Sequence, residues 1–201
     1  SPGSKALPSG DFGVAQHVHR AAANFFRKRI MIASAPQDFI SLHNAFAQYT
    51  LLHLIVATAH RKSTTPFFFP WDLNLEQRLA FIADKCLVGS EARFVPLAEV
   101  ATAQIGAYFC HLRSLYFKLD EKHLAAKEQI ARLIVLEPKY QKNTASQPLH
   151  PNAGLFFEIR SDGTPQTITT GQLDKLLKSA GIAATTGQFR KALADALWGK
   201  G

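Results

Sequence analysis

From Phe39 to about His60 the chain reads as a helix that is apolar on nearly every face: Phe39, Ile40, Leu42, Phe46, Tyr49, Leu51, Leu52, Leu54, Ile55 and Val56. A helix with no polar side offers water no surface, so it belongs at the centre of the fold with the other elements layered around it. Ala35-Pro36-Gln37-Asp38 marks its start. Pro36 suits the first turn, and Asp38 lies at the positive end of the helix dipole. His60-Arg61-Lys62 marks its end, and Ser63-Thr64-Thr65-Pro66 breaks it. Three basic groups at the end of a buried helix require water or anionic partners. His43 and His53 read as core or groove-facing residues rather than metal ligands.

The flanking sequence is mixed. Val14–Ile32 has apolar residues at helical spacing with Arg20, Arg27, Lys28 and Arg29 between them, which predicts a helix with a basic face. That face is either solvated or tracks phosphates. Phe67–Trp71 (FFFPW) reads as an aromatic plug beneath a sheet, and Asp72–Leu75 as a turn. Leu79–Ala83 and Arg93–Val95 read as paired strands closed by Cys86–Ala92. Pro96–Lys118 and Glu121–Leu136 are helical by spacing, and Pro138–Asn152 is a polar loop. Leu155–Ile159 and Gln166–Ile168 form a short strand pair. Thr169-Thr170 caps a helix over Gly171–Ala180 that stops at Gly181, and a last helix runs from about Thr186 to Trp198. The expected class is therefore α+β, mostly α, with a small antiparallel sheet. Residues 1–12, which open on SPGS, read as a cloning remnant and disordered leader, and 13–201 as one domain.

Charge narrows the partners. The 201 residues carry 23 Lys and Arg against 15 Asp and Glu, a formal net charge of +8. That excess favours polyanions, nucleic acid first and an anionic membrane second. The two cysteines, Cys86 and Cys110, form no C-x-x-C pair, so neither a zinc site nor a disulfide framework is indicated, and a reducing, cytoplasmic setting fits. No apolar run reaches membrane-spanning length. No phosphate-binding glycine loop, dinucleotide fingerprint, H-E-x-x-H or G-x-S-x-G is present, so no metal and no nucleotide or other small-molecule cofactor is expected.

Phosphoryl transfer on DNA needs cations around the reacting phosphate. Arginine can bond two phosphate oxygens with its planar fork, and lysine can protonate a leaving oxygen. The run A-T-A-H-R ending at Arg61, then Lys85 at the end of a strand, then R-F-V-P-L from Arg93 to Leu97, resembles the catalytic domain of the tyrosine recombinases (integrases). In that family a similar A-T-G-x-R ends an apolar helix, a hairpin lysine follows, and the next strand commonly reads R-x-V-P-L. Thr186-Gly187-Gln188-Phe189-Arg190-Lys191 falls where the family has H-x-x-R. The resemblance covers roughly Asp38 to Trp198.

It implies a recombinase-like fold, with Arg61, Lys85 and Arg190 as the catalytic cations and His60, Lys62, Arg93 and Lys191 as further DNA contacts. It implies double-stranded DNA as partner, with strand cleavage and rejoining through a phosphotyrosine in an intact member. The protein would be a monomer in solution that can oligomerise on DNA, cytoplasmic and nucleoid-associated in a bacterial or phage-type setting.

Three departures stand out. Gly187 replaces the first histidine of the second box, and Thr64 stands where many members carry an acid. No tyrosine follows Arg190, since Tyr49, Tyr108, Tyr116 and Tyr140 all precede it. The polypeptide should therefore not cleave DNA by itself. Either the chain stops before the tyrosine-bearing helix, or this is a degenerate DNA-binding relative. The remaining alternative is a basic helical module that binds protein.

Overall fold

The computed structural model describes residues 12–32, 38–60, 65–82, 93–135, 153–182 and 184–189. Helix α1 (Phe12–Ile32) leads to α2 (Phe39–Ala57). Strands β1 (Leu73–Asn74), β2 (Leu79–Ile82) and β3 (Arg93–Pro96) follow, then α3 (Glu99–Tyr116) and α4 (Leu124–Val135). The described order closes with β4 (Phe157–Ile159), β5 (Pro165–Thr167) and α5 (Thr170–Ser179). The fold is α+β and mostly helical, as the spacing predicts. Among the described residues no helix is long and apolar enough to cross a membrane.

Helix α2 takes the central place its composition requires. Ala45, Ala47, Leu51, Leu52, Leu54 and Ile55 are all buried in the core, against α1 through Ala22 and Phe26 and against α3 through Ile105, Tyr108 and Leu112. Asp38 caps its start, its carboxylate accepting from the Ser41 backbone N–H at 3.3 Å. Its end comes three residues earlier than the apolar pattern predicts, at Ala57, because Ala59, in the left-handed region after the cap Thr58, turns the chain out of the helix. The Thr58 N–H and hydroxyl both donate to Leu54 O, at 2.9 and 2.7 Å.

Both sheets are antiparallel. In the first, ordered β1-β2-β3, Ala80 pairs with Leu73 on one side and with Val95 on the other, and Ile82 pairs with Arg93. Alternation sends Leu73, Ala80, Ile82, Arg93 and Val95 to the core side and Asn74, Phe81, Phe94 and Pro96 outward. The expected β2–β3 pair is present. The segment expected as a turn over Asp72–Leu75 instead supplies β1, since Leu73 buries its side chain while the chain extends. The aromatic run is only partly a plug. Phe67 is buried, whereas Phe69 and Trp71 stack on each other at 4.6 Å with their outer surfaces exposed.

The second sheet pairs Phe157 with Thr167 and Ile159 with Pro165. Gly154 must be glycine, because a Cβ there would lie 2.7 Å from Phe68 O. Thr169 caps α5 by accepting from Gln172 N at 3.2 Å, and Gly181 ends it in the left-handed region, as expected. Residues 186–189 are helical, and the remainder of the expected last helix lies outside the described residues. The expected loops Cys86–Ala92 and Pro138–Asn152 lie outside them as well.

Candidate nucleic-acid interface

The described chain around Arg61 is held by a closed helix end. The His60 N–H donates to Ile55 O at 3.0 Å and the Ala59 N–H to Val56 O at 3.2 Å, the paired bonds of a Schellman motif. The first residue past the cap sits in the left-handed region that such a motif demands, and it is an alanine: Ala59 has φ +47°. A left-handed alanine costs roughly 1–2 kcal/mol that a glycine would not. Ala59 also stands where the A-T-G-x-R pattern has its glycine.

Two further contacts fix this turn. The Arg93 guanidinium, on the core side of β3, donates from Nη2 to Ala59 O at 3.3 Å. The ring of His60, only 6 % exposed, packs edge-on against Phe67 at 4.9 Å. Phe67 too is left-handed, at φ +51°. The residues on either side of 61–66 are therefore joined by a buried ring contact, with a strained residue at or beside each end. Across the sheet, Ile82 and Arg93 are register partners, so the segment 83–92 begins and ends at the same spot.

Of the seven residues singled out by sequence, His60 and Arg93 are described. His60 is a buried pin rather than an exposed contact. Arg93 is half-buried and braces the end of α2, and its Nε is buried without a hydrogen-bond partner. Arg61, Lys62, Lys85, Arg190 and Lys191 lie outside the described residues. The described residues nearest to Arg61 and to Lys85 are linked, since Ala59 accepts from Arg93, the register partner of Ile82. The residues before Arg190 are anchored on α5, where the Thr186 N–H donates to Asp174 Oδ1 at 2.7 Å and Phe189 is buried. A mostly apolar cleft of about 340 Å³, lined by Asp174, Lys175, Lys178, Ile182, Ala184 and Gln188 among others, opens beside them.

Tyr108 is fully buried, its hydroxyl donates to Leu155 O at 3.0 Å, and burial pushes its pKa well above the usual range. Among the described residues no three His, Cys, Asp or Glu side chains gather as a metal set would require.

Sequence reasoning missed a second polar cluster, on α2. His43 is fully buried, and its Nε2 lies 3.1 Å from Phe157 O. A carbonyl only accepts, so Nε2 carries the proton, and Nδ1 accepts from His111 Nε2 at 3.2 Å. Burial, then the neighbouring His111, pulls His43 down to about 3. Burial, then Lys118, pulls His111 down to about 4. The next residue, Asn44, exchanges two bonds with Ile159, and Gln48, one turn further on, bridges Arg29 and Glu158. The signal was available in the sequence: Asn44 and Gln48 stand four apart on one face of a mostly apolar helix, with His43 next to the first of them.

Comparison with protein-family profiles, with curated proteins and with solved structures finds no match.

Proposed function

We propose that this chain is a duplex-DNA-binding domain of the tyrosine-recombinase type, holding phosphates with Arg61, Lys85 and Arg190, flanked by Lys62 and Lys191. The observation that carries the reading is the Ala59–Arg93 hydrogen bond. It ties the left-handed end of a buried helix to the core side of the β2–β3 pair, the described residues that bracket Arg61 and Lys85 in the chain. Two of the three described non-glycine residues in the left-handed region, Ala59 and Phe67, stand beside this turn, the third being Arg78 between β1 and β2, and such strain fits a turn built to aim a side chain. The net charge of +8 supplies the long-range attraction.

The activity proposed for the chain itself is binding. Gly187 takes the place of a proton-transfer histidine, and none of the tyrosines follows Arg190. Strand cleavage and rejoining through a phosphotyrosine belongs to an intact protein of this type. In this reading Arg93 and His60 act as positioning residues, since the one braces and the other pins the turn that launches Arg61.

One observation favours protein binding instead. A groove of about 360 Å³ between α3 and α4 is lined by Arg113, Tyr116, Phe117, Ala131 and Ile134, and Phe117 is 84 % exposed. A titration of duplex DNA at several salt concentrations separates the readings. Wild type should bind with a steep salt dependence, and Arg61→Ala/Arg190→Ala should flatten the log–log slope by about 2. Absence of binding at low salt would end the DNA reading and leave the groove as the functional surface.

A further inference from the structure

Helix α1 concentrates charge. Among its 21 residues are Arg20, Arg27, Lys28 and Arg29 and no acid, so this one helix carries half of the chain's excess of eight. Arg29 is engaged with Gln48 at 2.6 Å and lies over the Phe25 ring. Arg20, Arg27 and Lys28 are exposed and bond no other described residue. Three cations left in water on one helix, with no carboxylate between them to neutralise the field, form a strip about 12 Å long. That strip spans several phosphates of one DNA strand, which carries a charge every ~3.4 Å of axis.

One end of the strip is level with the end of α2. Arg29, near the end of α1, is tied to Gln48, midway along α2. The six-residue connection 33–38 makes the two packed helices antiparallel neighbours. Nine residues back along α1 and nine forward along α2, about 13 Å in each case, bring Arg20 level with Ala57, at the end of α2 from which Arg61 emerges. A membrane is the poorer partner. A helix lying on lipid inserts its apolar face, and the apolar face of α1, through Ala22 and Phe26, is already buried in the core, which leaves Met31 and Ile32 at its last two positions as its exposed large apolar side chains among the described residues.

We infer that Arg20, Arg27 and Lys28 form a second phosphate-contacting strip that extends the DNA interface along α1. The inference rests on the DNA-binding reading and adds a surface that the recombinase-like motif does not include.

The test compares wild type, Arg20→Ser/Arg27→Ser/Lys28→Ser, and the charge-keeping Arg20→Lys/Arg27→Lys by duplex-DNA titration from 50 to 300 mM salt. Circular dichroism confirms that each variant is folded. At about 0.9 per phosphate released, the serine variant should lose 2–3 units of slope, and its affinity at 0.1 M salt should fall on the order of a hundredfold. The lysine variant should keep the wild-type slope.

A serine variant with the wild-type slope, when Arg61→Ala/Arg190→Ala lowers it, would make α1 a solvated face and leave the main reading standing. A wild type that binds no DNA would remove both. A parallel arm uses vesicles of phosphatidylcholine with 30 % phosphatidylserine. Vesicle binding that the serine variant loses, with DNA binding unchanged, would transfer the strip to a membrane and overturn the inference.

Discussion

Helix α2 uses polar groups in opposite ways at its middle and at its end. In the middle, every side-chain nitrogen and oxygen of His43, Asn44 and Gln48 has a partner, and each residue bonds β4 through Phe157 O, Ile159 or Glu158. The side chain of Asn44 acts as a missing strand, meeting the N–H and the C=O of one residue on the edge of the second sheet. At the end, Ala59 is strained, Arg93 keeps an unpaired Nε, and the chain departs toward a run of basic residues. Buried polar groups without function are expected to be fully paired. Saturation at the middle therefore marks architecture, and incomplete satisfaction at the end marks a place kept for something else.

The sharpest way to break this contrast is acid. His43 and His111 are neutral in the fold and charged in the unfolded chain below 6.5, so the unfolded state binds more protons and stability falls as pH drops from 6.5 toward 4. Asp72 opposes them. Burial raises it to about 6, so from there down to 3.8 the folded state binds the extra proton, although partial exposure screens that share. The balance is one to two protons, at about 1.4 kcal/mol per pH unit each. Urea titrations should show a loss of about 3 kcal/mol between pH 6.5 and 4.5. Asp72→Asn should steepen the loss, and flat stability down to pH 5 would show that the histidine pair is solvated and not architectural.

The next test removes one stitch. Asn44→Leu keeps the volume but leaves the Ile159 N–H and C=O unpaired in a half-buried position, at a cost of about 2–3 kcal/mol. DNA affinity should stay within twofold if the middle of α2 is purely architectural. A large change in affinity at unchanged stability would reverse the assignment of the two regions.

These two regions were not equally legible in the sequence. The apolar run fixed α2, its cap at Asp38 and its central place, because burial on all sides has one structural solution. The β2–β3 pairing and the Thr169 cap were readable for the same local reason. Strand β1 was not, because the burial of Leu73 is decided by the sheet it joins and not by its neighbours Asp72 and Asn74. Nor was the His43–His111 bond, which joins residues 68 apart on different helices. His60 reads in sequence as one of three basic residues facing an anion. Only the packing of Phe67 shows that its ring faces inward. Arg93 likewise reads as a free cation until strand alternation turns it toward the end of α2.

The smallest expected effect is the most discriminating, because it has opposite signs in the two regions. Glycine inside a helix costs about 1 kcal/mol relative to alanine, so Ala47→Gly, in the buried middle of α2, should destabilise by at least that much. Ala59→Gly should do the reverse. At φ +47° alanine pays a steric cost of roughly 1–2 kcal/mol that glycine escapes, and the extra freedom of glycine in the unfolded chain returns part of it. The net expectation is a gain of about 0.5–1 kcal/mol, read as a rise in the urea midpoint at constant m-value. The gain should be accompanied by unchanged DNA affinity, because the turn keeps its shape and Arg93 still finds the residue 59 carbonyl. A loss of stability at position 59 matching that at position 47 would mean that the helix does not turn there in solution. The segment bearing Arg61 would then not be launched beside the hairpin, and the Ala59–Arg93 bond could no longer carry the proposed interface.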